Sequence, residues 1–264
     1  MNQILVIAHN TFRESVRDKV LYNLIFFVFL LLGGSLYFGE LTIHNEQKAM
    51  IDLGLSVMLL FGFMIAVFIG TGLVYKEIDK RTIYTILSKP IHRYEFIIGK
   101  FLGLSITLLV NCTIMLFGII LSLIYINHGF SSGLVSIFPA AFMIYLELLL
   151  LTAFALLFSS FSTPAFSVFF SVLVYIIGNF SPDLRAFANI LDVNRFPQLK
   201  IAQTILHFLY YVVPNLTNFN FIARTAHGEA IQSGLIGYGI LYFFIYAGIL
   251  LSLTILIFER RNFK

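Results

Sequence analysis

The sequence predicts an all-α integral membrane protein that crosses the bilayer six times, and three observations predict it. Of 264 residues, 59% are hydrophobic and 11% charged, whereas a soluble domain carries about 25% charged residues. The apolar residues gather into six long runs, each close to the roughly 20 residues that one crossing needs. The lysines and arginines sit at the ends of these runs and form no continuous stripe. Such placement orients a chain in a membrane and gives nucleic acid no surface to bind. Little sequence is left for a water-soluble domain, so any catalytic domain is expected on another chain.

The first element is the N-terminal helix. In residues 1–20, Ile4, Ala8, Phe12, Val16 and Val20 recur every fourth position, with Asn10, Arg13, Glu14, Arg17 and Asp18 opposite them. This pattern predicts an amphipathic helix lying in the membrane interface. The six spans are expected at 21–38, 53–75, 96–126, 134–158, 165–180 and 235–258. The third exceeds an upright crossing and must tilt or extend into the headgroups. The fifth is short and opens after Pro164, which suits a first helical turn.

Orientation comes from the basic residues beside each end. Arg13, Arg17 and Lys19, then Lys76, Lys80, Arg81, Lys89, Arg93 and Lys100, then Arg260, Arg261 and Lys264 all fall on one side if there are six spans. That side is cytoplasmic, and both termini lie there. On the opposite side the first connection carries only Lys48 and the next carries no Lys or Arg. The outer connection 181–234 holds the apolar stretch Ile201–Val213 and then Pro214. It is too short to span and is expected as an outer re-entrant hairpin of two short helices broken at Pro214. Cys112 is the single cysteine, so no disulfide forms within the chain. The first apolar run is not succeeded by a small-residue cleavage pattern, and a cleavable signal peptide is not expected.

Between spans two and three, the cytoplasmic connection 76–95 opens with Lys76, Glu77, Asp79, Lys80 and Arg81. It continues with Ile83, Ile86 and Leu87 at helical spacing, then reaches Pro90. Proline ends a helix, and it holds Lys89 in extended geometry. The expected product is a short amphipathic helix on the inner face, set at a fixed turn from the third span. A rigid, charged helix in that place is one that a partner protein can push.

The run from Lys76 to Lys100 resembles the cytoplasmic loop of ABC-2 type transporter permeases. Their pattern is an acidic residue, Thr, two aliphatics, Pro, a basic residue, and Gly-Lys opening the next span. Glu77, Thr82, Ile86 with Leu87, Pro90, Arg93, Gly99 and Lys100 stand at those positions. The stretch Ala8–Tyr22 is similar to the amphipathic leading helix of that family, and Tyr210–Asn220 to its outer re-entrant region. The branch it most resembles includes the nitrous-oxide reductase maturation and gliding-motility permeases. The resemblance implies one transmembrane permease domain over 1–264, with 76–95 as its coupling loop. It also implies an exporter of the bacterial cytoplasmic (inner) membrane, built from two permease halves as a homodimer and two copies of an ATP-binding ABC subunit. On that reading the chain is not itself an enzyme and carries no cofactor, because ATP and Mg belong to the partner subunit. Glu77, Asp79, Thr82, Pro90 and Arg93 would contact that ATPase. The plainer alternatives are that Glu77 and Arg93 decorate a solvated loop and that Lys100 anchors the third span at the headgroups.

Other residues narrow the reading. No Gly-x-x-x-x-Gly-Lys-Ser/Thr phosphate loop occurs, so the ATPase is expected to be separate. Glu147 is the only Asp, Glu, Lys or Arg between Lys100 and Asp183 and falls in mid-span, where a charge costs about 2.5–3.5 kcal/mol. It is a candidate for the translocation path or a proton site, or else a buried carboxyl hydrogen-bonded to a neighbouring helix. Gly62, Ala66 and Gly70, and again Gly99 and Gly103, are spaced by four, which lets helix backbones approach closely. That packing is expected within the chain or at the subunit interface. The six histidines are dispersed without ligand spacing, so no metal site is expected. Most of the Phe and Tyr residues are expected to face lipid, and Asn215-Leu-Thr217 fits a glycosylation acceptor only by its three residues. Two other functions compete with the exporter. One is a secondary transporter driven by an ion gradient, which broken helices in matching halves would favour. The other is a non-transporting anchor for a partner ATPase.

Overall fold

The computed structural model describes residues 3–17, 26–27, 46–72, 92–126, 129, 133–190 and 200–260. Among them the fold is entirely helical: α1 (Gln3–Arg17), α2 (Glu46–Gly72), α3 (Arg93–Ile126), α4 (Gly133–Phe161), α5 (Pro164–Asn179), α6 (Ser181–Ile190), α7 (Lys200–Val212), α8 (Ile222–Ala226) and α9 (Ser233–Arg260). Helices α2, α3, α4 and α9 are each long and apolar enough to cross a membrane, and α5 with α6 makes a further pair bent by 65°. The chain is an integral membrane protein. The expected first span at 21–38, apart from Phe26 and Phe27, and the expected loop 76–95 up to residue 91 lie outside the described residues.

The core is built around α4, whose Ile137, Ala140, Met143, Ile144, Leu148, Leu150, Leu151 and Ala155 are all fully enclosed. Helices α2, α3, α5 and α9 pack against it. Where α2 meets α4, a Cβ on Gly62 would overlap Leu148 Cδ1, and one on Gly70 would stand 3.1 Å from Ala155 Cβ. Eight residues of α2 therefore keep step with seven of α4. In a regular helix a residue eight positions on would drift by about 80° from the first. Here α2 contains a π-helical turn at Ile65–Ile69, which takes up one extra residue and brings Gly62, Ala66 and Gly70 onto one face. The glycine spacing by four serves packing within the chain because of that turn.

Gly99 and Gly103 serve a different neighbour. A Cβ on Gly99 would lie 2.8 Å from Ile7 Cβ, and one on Gly103 would lie 2.6 Å from Ala8 O. The bare ridge of α3 is thus the seat of α1. The face that α1 turns inward contains Ala8, Thr11 and Ser15, while Leu5, Val6 and Val16 stay exposed. The apolar pattern of residues 4, 8, 12 and 16 picks this face out only in part, because small size as well as hydrophobicity sets the contact. Ser15 Oγ donates to Thr11 O at 2.8 Å, so its hydroxyl is satisfied within α1. Substituting leucine at Gly103 is expected to unseat α1 and destabilise the fold by about 1–3 kcal/mol. The check is faster proteolysis within residues 3–17 and a lower melting point; an unchanged digestion pattern would refute this seat.

Among its described residues, the connection 181–234 departs from the expected hairpin. Helix α7 does stop short of Pro214, at Val212, but it pairs with the preceding α6. Beyond Pro214 the chain forms a 3-10 turn at Leu216–Phe219 and then the five-residue α8. Asn215 and Asn220 explain this outcome. Asn215 Oδ1 accepts the Thr217 N–H at 3.1 Å, and Asn220 Oδ1 accepts the Ile222 N–H at 3.2 Å. Such side-chain turns compete with a continuing helix.

Candidate functional site

Two places bring the sequence candidates together. The first is the start of α3. Glu95 Oε2 accepts the His92 N–H at 2.9 Å, the reciprocal half of a capping box. Arg93 reaches across 165 positions of sequence to the last turn of α9. Its Nη1 donates to Phe258 O at 2.7 Å and to Glu259 O at 2.8 Å. The Phe96 and Phe258 rings stack with centroids 5.6 Å apart. One turn on, Lys100 is 1% exposed, lies 3.9 Å from the Glu14 carboxylate of α1 and sits over the Phe96 ring. The headgroup reading of Lys100 gives way here, because α1 and Phe96 enclose its ammonium inside protein. Glu77, Asp79, Thr82 and Pro90 lie outside the described residues, so Arg93 is the coupling-loop candidate whose surroundings are visible.

The second place is the centre of the bundle. Glu147 is the middle residue of α4, fully buried, and neither carboxyl oxygen has a hydrogen-bond partner among the described residues. The polar side chains that act on it are Asn179 and Tyr175 of α5. Asn179 Nδ2 donates to Tyr175 O at 3.1 Å. Helix α5 leaves α4 at Pro164 and ends at Asn179, so it runs back only to the level of Glu147 before the 65° bend. The carbonyl end of α5, where the helix dipole is negative, therefore stops at the depth of the buried carboxyl.

Above this level the gap left by α5 is filled by residues 213–222. Val213, Leu216, Phe219, Phe221 and Ile222 are buried there. Tyr242 Oη of α9 accepts the Asn215 N–H at 2.7 Å, and the Tyr242 ring lies 6.0 Å from that of Phe219. Two glycines that spacing does not single out lie at these contacts, Gly178 against the segment and Gly239 against Met143 of α4. A Cβ on Gly178 would meet Leu216 Cγ at 2.6 Å and Pro214 O at 2.9 Å, and one on Gly239 would meet Met143 Sδ at 3.1 Å. Asn179 and Tyr175, like these glycines, escape a reading by charge and period: both are ordinary residues for an apolar helix, and only the register of α5 on α4 brings them to Glu147. Asn215 Oδ1 also accepts the Thr217 hydroxyl, so the apparent glycosylation acceptor is a capping turn. Among the described residues no group of three His, Cys, Asp or Glu could hold a metal.

Compared with known proteins, no curated protein matches the chain. The family model described as ABC-2 family transporter protein matches residues 5–263. That match takes in α1, the bundle, the buried 213–222 segment and α9 together. Members of the family are transport subunits of the membrane that normally work with an ATP-binding ABC subunit and are not themselves enzymes. The chain belongs to the ABC-2 family of transporter proteins.

Proposed function

We propose that this chain is the membrane-spanning subunit of an ATP-driven exporter. It works as a homodimer in the bacterial cytoplasmic membrane with two copies of a separate ATP-binding subunit, which holds ATP and Mg. The family match across residues 5–263 carries the reading. In it the chain crosses the membrane six times, with 21–38 as the first span and both termini cytoplasmic. Helix α1 lies at the inner interface and residues 181–234 form the outer, re-entrant part. Residues 76–95 form the coupling element, with Glu77, Asp79, Thr82, Pro90 and Arg93 at or near the ATPase. Closure of the ATPase pair displaces that element, and the spans move with it.

Glu147 serves this reading as a polar point on the translocation path. A carboxyl held at mid-bilayer is costly, and its two oxygens have no hydrogen-bond partner among the described residues, which suits it to a polar group passing along the path. An ion-gradient carrier gains no matching support, because among the described residues no second carboxyl acts on Glu147 and a relay of such groups marks proton pathways. The test is co-purification of the chain with an ATP-binding subunit, with cross-links that map to residues 76–93. Glu77→Ala is expected to leave assembly and membrane insertion intact while ATP hydrolysis no longer responds to the permease. A complex that forms without any cross-link in 76–93 would remove the docking assignment.

A further inference from the structure

The start of α3 is tied to both ends of the chain, and the ties differ in kind. Helix α1 rests on Gly99 and Gly103 by close packing. The cytoplasmic end of α9 is held by a hydrogen-bonding side chain as well as by packing, because Arg93 Nη1 bonds both Phe258 O and Glu259 O. The last carbonyls of a helix have no partners within it, and they form the negative end of its dipole. A guanidinium supplied from another helix satisfies those oxygens and complements that charge. Behind the guanidinium, Phe96, Ile97 and Phe258 form a small buried cluster with Leu251 and Ile255 packed on it. Arg93 is also the first residue of α3, so the helix opens on the very residue that grips α9.

We propose that Arg93 is a positioning residue of the transport cycle, which carries displacement of the 76–95 loop directly to the cytoplasmic end of α9. Without it, α9 would feel the loop only through side-chain packing, that of Phe96 on Phe258 at this end and of α4 along its length. With it, the first turn of α3 and the last turn of α9 move as one body. This rests on the ATP-driven permease reading, and it gives Arg93 work inside the chain as well as beside the ATPase.

The experiment uses the full-length chain in complex with its ATP-binding subunit in liposomes, with Cys112→Ser so that introduced cysteines are unique. Spin labels go on Tyr94 and Arg260, and in a second sample on Phe161 and Arg260, positions that are all exposed. In the parent protein the Tyr94–Arg260 distance is expected to stay constant with and without trapped nucleotide, while the Phe161–Arg260 distance shifts. In Arg93→Met the nucleotide-driven Phe161–Arg260 shift is lost and the Tyr94–Arg260 distribution broadens only when nucleotide is bound. Arg93→Lys, which keeps the charge and its donors, restores the shift at least in part. A merely structural role would broaden the Tyr94–Arg260 distribution equally without nucleotide, and that result overturns the proposal. So does an Arg93→Met complex whose α9 moves as far as the parent's. If the parent complex itself shows no nucleotide-driven movement, the ATP-driven reading fails and the role of Arg93 falls with it, a pattern distinct from the other two.

Discussion

Replacing Glu147 with methionine is expected to stabilise the protein by about 1–3 kcal/mol, the usual penalty of a buried polar group left without partners. Methionine is unbranched and of similar length, so it can occupy the same slot between α4 and α5 without a cavity. The gain should appear as a higher melting point in detergent. A carboxyl firmly bonded to Asn179 would give the opposite sign, because its removal would strand the amide. The functional half of the prediction needs no knowledge of the cargo. Glu147→Cys in a Cys112→Ser background is expected to resist a membrane-impermeant thiol reagent at rest, when the position is fully buried. During ATP turnover with the partner subunit it should react, because a residue on a translocation path meets water when the path opens. If turnover leaves the thiol unreactive while the methionine variant is more stable and hydrolyses ATP normally, Glu147 has no place on the path.

Much of the fold could be read from the sequence, and the reasons differ from helix to helix. Long apolar runs identify α2, α3, α4 and α9 as helices able to cross, because the bilayer imposes a length and a polarity that leave few alternatives. The family could also be read from the resemblance that residues Glu77 to Lys100 carry, and the match over 5–263 bears out the family. Contacts between helices were less legible. Gly62, Ala66 and Gly70 look like a simple stripe by spacing, yet they share a face only because Ile65–Ile69 forms a π-helical turn, and no residue there announces one. Lys100 looks like a headgroup anchor until α1 is seen to cover it. The partner of α7 depends on a turn chosen by Asn215 and Asn220, where side-chain capping outweighs the apolar character of the stretch. Glu147 stands out by its charge alone, whereas Asn179 and Tyr175 acquire meaning only from the point at which α5 ends. In each case a local pattern names the element, and the neighbour's size or register decides what it touches.

The buried 213–222 segment should be the most sensitive part of the bundle to a single added side chain. Gly178→Leu is expected to destabilise the protein by about 3 kcal/mol, the upper end for overpacking, or roughly a hundredfold in the folded-to-unfolded ratio. The reason is the nature of the obstacle. A Cβ at 178 would lie 2.6 Å from Leu216 Cγ, which can rotate away, but also 2.9 Å from the backbone oxygen of Pro214, which cannot. Relief therefore requires the whole turn to move, and with it the fully buried Leu216 and Phe219 and the bond from the Asn215 N–H to Tyr242 Oη. Gly237→Leu is the matched control, since a Cβ there meets nothing within 4 Å and leucine is the better helix former. Adding Leu216→Ala to Gly178→Leu should recover only part of the loss, because it clears the side chain and leaves the carbonyl in place. Thermal unfolding of the four proteins in one detergent decides the matter. Equal melting points for the 178 and 237 variants would mean that the segment is not wedged against α5, and full recovery in the double variant would mean that the Pro214 oxygen exerts no constraint.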